Sequence, residues 1–429
     1  MILLSNKLLA VSYMGDRNEV ADAAGSTSTV RLASCLTSEG CTIVSILPIR
    51  SALFSFFSTH EACTLRLTCH ELKQAVTDLP WAWEDMETVI HGSIAQWRAC
   101  FPRALCANVG QRVGDRECDN PNGRRTAVVD ADFVHFQGLK VLNMSWCRQV
   151  TDAAFVHLKG IKVLKMVECD QGTITDAAFK HLEGIQELNM NCCLTTAITD
   201  AAFVHLKGIK VLNMSQCMQA TITDAAFEHL KGIQELVMGG CDQATITDAA
   251  FKHLKGIQKL DICQCPQITD AAFEHLKGIR ELDMVNCDQA TITDAAFEHL
   301  KGIQRLDMSG CIQATITDAA FEHLVGVKVL DISHCSTFTD AAFEHLKGIQ
   351  ELKMSWCTQN TITDAAFEHL KGIRMLDMSF CDQATITEAA FEHLKGIQRL
   401  DMSGCRDECV RAALAAGLPV HLRVLPLVE

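Results

Sequence analysis

Cysteine and histidine are the residues of this sequence that could do chemistry, and both recur at regular spacing. The chain of 429 residues carries 22 cysteines and 17 histidines. Thiolates and imidazoles are the usual ligands of zinc, and pairs of thiols form disulfides. Twelve of the cysteines follow one another at steps of 22 or 24 residues, namely Cys147, Cys169, Cys193, Cys217, Cys241, Cys265, Cys287, Cys311, Cys335, Cys357, Cys381 and Cys405.

The spacing of these cysteines argues against metal binding and against disulfides. A structural zinc site needs short ligand pairs such as C-x-x-C that converge on one point, and the row does not supply them. Thiols on stacked strands would come within about 5 Å, but side chains that point the same way into a core would strain a bridge. We therefore expect reduced, structural thiols, with Cys192 and Cys263 beside the row more exposed.

The histidine row has an equally simple explanation in the repetition of the unit that carries it. Twelve histidines, from His135 to His393, recur in the same context, and each precedes a leucine except His135, which precedes Phe136. Helices that pack side by side lie about 8–10 Å apart, which is too far for neighbouring imidazoles to share a ligand. We expect no metal strip or proton relay here.

The elements that must position these residues come from an internal repeat. In its long form the unit reads GIQELVMGGCDQATITDAAFEHLK, with small changes between copies, and twelve copies follow one another from residue 130. A period of 20–29 residues with leucines spaced as L-x-x-L-x-L and a closing Asn or Cys is the signature of leucine-rich repeats. Twelve tandem copies make a chance match negligible.

Each unit predicts one short strand and one helix. In one copy the alternation of Leu236 and Met238 is typical of a strand, and the small apolar Cys241 is expected to turn inward. Thr247 and Asp248 supply a helix N-cap and a first-turn carboxylate. The residues expected to form the helix's buried stripe and its left-handed end are Ala249, Ala250, Phe251, Leu254 and Gly256.

A single strand and helix cannot bury their apolar faces, but stacked copies can. The sequence therefore predicts an α/β leucine-rich-repeat solenoid with a parallel sheet on the concave side and helices on the convex side. A helix over 410–417 and a strand over 420–424 would close it. The expected organisation is a flexible segment at 1–43, a helical domain at 44–84, a transition and degenerate first repeat at 85–129, repeats at 130–405 and a cap at 406–429. Within the transition we expect a helix at 94–98, a degenerate first strand at 103–109 and an exposed loop at 110–125.

The segment at 44–84 resembles an F-box. Read from its residues alone it predicts two or three short amphipathic helices, which would serve equally well as a helical cap for the solenoid. The resemblance lies in a Leu-Pro opening, a Leu-Phe pair, an L-R-L-x-C helix and a closing Trp81, with departures at Ile49-Arg50 and Leu72. It implies docking of a Skp-type adaptor protein through Leu47, Pro48, Leu53, Phe54, Phe57, Leu65 and Leu67.

Composition narrows the class of partner. The net charge is −14, which disfavours nucleic acid and favours basic partners. No apolar run approaches the ~20 residues that span a bilayer, and residues 1–11 lack a basic start and a small-residue cleavage site. We expect a protein of the cytoplasm or the nucleus, without membrane contact.

A target-binding face is expected where the copies differ. After the strand leucine the C-terminal copies carry an acidic row with Asp307, Asp331, Asp377 and Asp401. Before the row cysteines stand His334, Trp356 and Phe380 in three consecutive copies. Aromatic residues dominate interface hot spots, so a basic protein with an apolar anchor would satisfy both rows.

These observations predict a binding protein that needs no cofactor. No Ser/His/Asp grouping, phosphate-binding glycine loop or carboxylate pair stands apart from the repeat, and no domain remains to house an enzyme's chemistry. The F-box resemblance implies a substrate-recognition subunit of a cullin-RING ubiquitin ligase. The alternative is a free-standing interaction scaffold unrelated to ubiquitin.

Overall fold

The structure is a computed structural model that describes residues 62, 70–79, 81, 89–90, 92–110 and 127–422. The chain divides into two compact units, Met1–Ile185 and Gln186–Glu429. All seven residues of the expected adaptor-docking surface lie outside the described residues, as does most of the loop expected at 110–125. Within the described part, no helix is long and apolar enough to cross a membrane.

In the described part of the first unit, two helices precede the repeats. Trp81 is buried against Phe101, with ring centroids 5.2 Å apart, and Trp97 packs edge-on to Phe136 at 6.4 Å. The expected helix at 94–98 and the degenerate first strand at 103–109 are both confirmed. The elements are α1 (His70–Asp78), α2 (Ile94–Cys100), β1 (Cys106–Asn108), a 3-10 helix (Asp130–Phe136), β2 (Val141–Asn143), α3 (Asp152–Phe155), a 3-10 helix (Val156–Leu158), β3 (Val163–Lys165) and α4 (Asp176–Phe179).

The second unit continues the alternation of three-residue strands and single helical turns. Its strands are β4 (Glu187–Asn189), β5 (Val211–Asn213), β6 (Glu235–Val237), β7 (Lys259–Asp261), β8 (Glu281–Asp283), β9 (Arg305–Asp307), β10 (Val329–Asp331), β11 (Glu351–Lys353), β12 (Met375–Asp377), β13 (Arg399–Asp401) and β14 (Val420–His421). Its helices are α5 (Asp200–Phe203), α6 (Asp224–Phe227), α7 (Asp248–Phe251), α8 (Asp270–Phe273), α9 (Asp294–Phe297), α10 (Asp340–Phe343), α11 (Asp364–Phe367), α12 (Glu388–Glu392) and α13 (Asp407–Ala415). Four 3-10 helices complete it: Val204–Leu206, Glu298–Leu300, Asp318–His323 and Glu368–Leu370.

The strands pair in parallel and in register within each unit. In the second unit Leu236 lies opposite Leu260, which lies opposite Leu282. These leucines and the methionines or isoleucines two residues later are buried. Side chains of a strand alternate between its two faces, so the residues on either side of each leucine line the open face of the sheet. The predicted leucine-rich-repeat fold with a parallel sheet is confirmed.

The helical side is thinner than the sequence suggested. In each long copy the helix is a single turn such as α7, and Thr247 begins it by accepting a hydrogen bond from the Ala249 amide. Gly256 has a φ of +90° and ends the segment that follows the helical turn, so few residues remain for a longer helix. The expectation that Ala249 belongs to the buried stripe is wrong, because one turn presents only Ala250 and Phe251 to the core.

Aspartates at the start of each turn bind the next repeat. Asp248 accepts two hydrogen bonds from Thr269, from its amide at 2.9 Å and from its hydroxyl at 2.6 Å. The same pair recurs in the first unit at Asp130–Thr151 and Asp152–Thr175, and in the second unit from Asp200–Thr223 to Asp364–Thr387. Each repeat thus fixes the N-cap of its successor. At the last copy Glu388 replaces Asp, and the following helix begins after Arg406, which offers no such hydroxyl.

We expect Asp248→Ala to destabilise the protein by about 2 kcal/mol, because the hydrogen bonds it removes are made by a charged acceptor at a half-buried site. The measurement is denaturant unfolding followed by circular dichroism. Glu388→Ala is the matched control, since it occupies the equivalent position at the end of the series and is exposed. Equal unfolding midpoints for the two variants would contradict the linking role of Asp248.

The row cysteines form a second connection between repeats. The Cys241 thiol donates to the Met214 carbonyl of the preceding copy at 3.1 Å, and Gln243 donates from Nε2 to the Cys217 carbonyl at 3.0 Å. Apart from the half-buried Cys405, the row thiols are buried, and the described cysteines are all free of disulfides. The predicted structural role of the row is confirmed. Cys192 and Cys263 are half-buried, so they are more exposed than the row as expected.

Candidate functional site

The open face of the sheet in the second unit carries a column of residues in left-handed backbone conformation. This column occupies the position before each row cysteine. Glycine stands there at Gly240, Gly310 and Gly404, with φ near +72°. The same position in three further copies is held by His334, Trp356 and Phe380, with φ values of 62°, 62° and 58°. Large side chains rarely adopt this region, which costs on the order of 1–3 kcal/mol at a non-glycine residue.

The three aromatic residues stack on one another. The rings of His334 and Trp356 are 5.8 Å apart and within 13° of parallel, and those of Trp356 and Phe380 are 4.3 Å apart and within 11°. His334 is exposed, Trp356 is 49% exposed, and Phe380 is half-buried. The sequence predicted these neighbours, and the structure brings them together. We call His334, Trp356 and Phe380 the aromatic stack.

Glycines border the aromatic stack at both ends. A Cβ added to Gly404 would collide with the ring of Phe380, so the glycine leaves the space that this ring occupies. A Cβ added to Gly310 would meet the side chain of Asn286 in the preceding copy. Side chains of this column therefore lie over the next copy's backbone. The ring of His334 leans towards Trp356, and position 310 presents no side chain to its other face.

The predicted acidic row has a structural duty that the sequence did not reveal. Asp307 accepts a hydrogen bond from the Ser309 amide at 3.1 Å, and Asp331 accepts one from the Ser333 amide at 3.0 Å. In the first unit Asn143 does the same for the Ser145 amide. The side-chain oxygen thus closes the turn that follows each strand, a local bond that Asp and Asn form equally well.

Three aspartates of the predicted acidic row are less accessible to a target than the sequence suggested. Asp401 is 2% exposed and accepts from the hydroxyls of Ser403 and Ser379, so its expected role in target contact is wrong. Asp331 is 9% exposed and pairs with Lys353 at 3.1 Å. Asp377 is half-buried and accepts from two serine hydroxyls, Ser379 at 2.6 Å and Ser355 at 2.9 Å.

The accessible negative charge lies one to three strands before the aromatic stack. Asp261, Asp283 and Asp307 are half-buried, adjacent and in register on β7, β8 and β9. In the described part of the chain, none of the three has a cationic side chain within 4 Å. Burial, followed by the charge of Asp331, raises the pKa of Asp307. We call Asp261, Asp283 and Asp307 the acidic strip.

Like charges in register destabilise a sheet, and asparagine would close the turns without that cost. Asparagine indeed stands at this position in β4 and β5, at Asn189 and Asn213. The charge of the acidic strip therefore has no structural explanation within the turn. The signal was present in the sequence, where Asp261 and Asp283 belong to the same row.

One thiol lies within the acidic strip. Cys263 donates to Asp283 at 2.7 Å, and its amide donates to Asp261 at 2.9 Å. Burial and the two carboxylates raise the pKa of this thiol, so it stays protonated at neutral pH. The ligand atoms of Asp261, Cys263 and Asp283 lie within 4.8 Å of one another, which is close enough to hold a metal ion. The spacing of residues in the sequence does not reveal this arrangement, because it joins residues of neighbouring repeats.

The histidine row stays on the helical side and gathers no other ligands. In the first unit, Gln137 Nε2 lies 2.9 Å from His157 Nδ1 of the next copy, which is a side-chain hydrogen bond and brings no second imidazole to His157. Among the described residues the only group of three or more potential ligands is the one at Cys263.

The fold and the open sheet face define a leucine-rich-repeat protein-interaction scaffold. A family model described as the BspA-type leucine-rich-repeat region, in six copies, matches residues 148–280 and 266–398. The chain belongs to this family. No curated protein sequence matches the chain.

Solved structures with the same fold include chains of the Toll–Spatzle, TLR13–ssRNA13 and mouse RP105/MD-1 complexes. A chain of the Toll–Spatzle complex of Drosophila has a TM-score of 0.55 at 15% identity, covering 73% of this chain and 45% of that one. A chain of the TLR13–ssRNA13 complex has 0.52 at 17%, covering 72% and 48%. The mouse RP105/MD-1 complex gives 0.50 at 16%, covering 76% and 53%. This chain therefore spans about half the length of the chains it resembles, and the likeness shows the fold alone.

Proposed function

We propose that this protein binds a protein target on the open sheet face of its second unit, with the aromatic stack as the anchor. The observation that carries the proposal is that His334, Trp356 and Phe380 stack their rings on one another in three consecutive copies and expose an apolar surface to water. Other copies place Gln216, Gln264 or Asn286 at the same left-handed position, so the stacked rings set these three copies apart. Exposed aromatic patches of this kind are typical of interaction sites.

The charge of the face selects the partner. The acidic strip lies beside the aromatic stack, and the net charge of the chain is −14. Negative potential speeds the approach of basic proteins and repels nucleic acid. The target is therefore a basic protein with an apolar side chain that seats on the stack. No group on this face is arranged for catalysis, and we propose a binding role without enzymatic activity or cofactor.

Capture with two baits tests the target-binding role. Wild-type protein and Trp356→Ala are used to capture partners from the same cell extract, and each candidate is then purified and titrated against both. A true target binds the wild type and loses affinity for the variant. If every captured protein binds the two baits equally, the target site lies elsewhere on the molecule.

We further propose that the captured target is presented for ubiquitination within a cullin-RING ligase. The support is the F-box-like segment at 44–84 in the sequence. Residues Leu47, Pro48, Leu53, Phe54, Phe57, Leu65 and Leu67 would dock a Skp-type adaptor, in the cytoplasm or the nucleus. The competing proposal is a free-standing scaffold that uses the same binding face without an adaptor.

Adaptor binding separates these two proposals. We expect full-length protein to bind a purified adaptor–cullin complex, and Leu47→Ala with Pro48→Ala to weaken it sharply, because both remove apolar contact at the docking surface. Isothermal titration calorimetry gives the affinity, and Trp356→Ala is the control that leaves the adaptor surface unchanged. Absence of binding at tens of micromolar, a weak affinity on any scale, would leave the free-standing scaffold.

A further inference from the structure

We infer that the acidic strip and the aromatic stack together recognise arginine side chains of the target, with one guanidinium against the face of His334 that Gly310, having no side chain, leaves uncovered. The inference rests on the proposed function and names the chemistry of the partner at that face. The partner segment is extended and carries arginines that reach the strip.

The first observation is the open position in the column. Asn286, Gly310 and His334 stand at the same place in three consecutive copies. Gly310 contributes no side chain, and the stack grows from His334 in the other direction through Trp356 to Phe380. The side chain of Asn286 lies over Gly310 itself, so the uncovered place is the layer between Asn286 and the His334 ring. A planar group in that layer would extend the stack by one layer.

The second observation is the negative charge carried by the copy of Gly310 and by the copy before it. Asp307 belongs to the same copy as Gly310, and Asp283 belongs to the copy before. Burial and neighbouring carboxylates raise the pKa of Asp307, so a cation at this place would relieve the repulsion. The first residues of the strands on this face, Lys259, Glu281 and Arg305, carry mixed charge and leave the strip's negative charge largely uncompensated.

Guanidinium satisfies both observations at once. It is planar, stacks on aromatic faces, and presents paired N–H donors to a carboxylate. A lysine ammonium would meet the carboxylates but has no flat face to lie on the imidazole. An aromatic side chain would extend the stack but leave the carboxylates unpaired. The site therefore distinguishes arginine from lysine, which carries the same charge.

The experiment titrates full-length protein with matched peptides by calorimetry in the presence of a chelator, so that no ion occupies the group around Cys263. The probe has three arginines at alternate positions of an extended sequence. One control peptide has lysine at those positions, which keeps the charge, and the other has citrulline, which keeps the planar shape. We expect the lysine peptide to bind at least about fivefold more weakly and the citrulline peptide not to bind.

Protein variants locate the effect. Asp307→Asn keeps the turn and removes the charge, and we expect about a tenfold loss of affinity for the arginine peptide. Gly310→Asn places a side chain in the uncovered layer beside His334 and should weaken binding similarly. Asparagine already stands at the equivalent position of the preceding copy, as Asn286. Asp288→Asn removes one exposed charge from the loop of the β8 copy and should leave affinity unchanged. Thermal unfolding of each variant verifies the fold.

The outcomes distinguish this inference from the broader function. Equal affinity for the arginine and lysine peptides, or normal binding by Asp307→Asn, would overturn the arginine site. A captured target that depends on Trp356 would still support the proposed function in that case. Conversely, selective arginine binding with no Trp356-dependent target would uphold the site and refute the stack as the target's anchor.

Discussion

Trp356→Ala is expected to weaken target binding at least about thirtyfold, which corresponds to about 2 kcal/mol. The indole is the middle layer of the aromatic stack, with His334 on one face and Phe380 on the other. Its removal takes away the anchor and the neighbours' support together. The dissociation rate should rise more than the association rate falls, because apolar anchors act after encounter. Surface plasmon resonance on the captured target gives both rates.

The control for this prediction is the stability of the Trp356→Ala variant. Since Trp356 is 49% exposed and its backbone is left-handed, replacing it should not lower the unfolding midpoint appreciably. Asp307→Asn provides a contrasting variant, which should slow association and reduce its salt dependence. Normal binding by Trp356→Ala with an unchanged unfolding midpoint would exclude the aromatic stack as the anchor.

A steep loss of stability above pH 9 is the second large effect expected. Burial raises the pKa of Cys287 from 9.0 to about 11 and that of Cys335 to about 12. Below pH 9 both the folded and the unfolded chain keep these protons. Between pH 9 and 11 the unfolded chain loses them first, so each such thiol lowers the free energy of unfolding by up to about 1.4 kcal/mol per pH unit. Burial also raises the pKa of Cys241, Cys265 and Cys311.

Denaturant unfolding at a series of pH values, with a reductant present, measures this slope. The double variant Cys287→Ser with Cys335→Ser keeps a donor for the carbonyls of Ile262 and Met308 but removes two titrating groups. Its stability at neutral pH should fall, while its slope above pH 9 should decrease by up to about 1.4 kcal/mol per pH unit for each thiol. An unchanged slope would show that the thiols do not link stability to pH.

The repeat made most of the fold predictable. Leu236, Met238, Cys241 and Phe251 are buried because their spacing fits one strand and one turn, and the pattern recurs in each copy. The length of the helix was overestimated, because the sequence signals its start at Thr247 clearly but does not show how soon the chain must return to the sheet. Such limits are set by the pitch between copies, which is a property of the stack.

The candidate site was only partly predictable for a related reason. The aromatic stack followed from three consecutive copies, since register places equivalent residues side by side. The burial of Asp401 did not follow, because it depends on the hydroxyls of Ser379 and Ser403 around it. The place of Cys263 between Asp261 and Asp283 is likewise visible only when neighbouring copies are considered together.

The aspartate–threonine link between copies also bears on how such a chain can change in length. Each unit brings a threonine that uses the previous aspartate and an aspartate that serves the next threonine. Duplication or loss of a whole unit between Asp200 and Thr387 therefore leaves every donor and acceptor of the series paired. The series stops where Glu388 takes the aspartate's position and the next helix begins after Arg406, which has no hydroxyl to donate. A designer who lengthens this binding surface should therefore insert units upstream of Glu388.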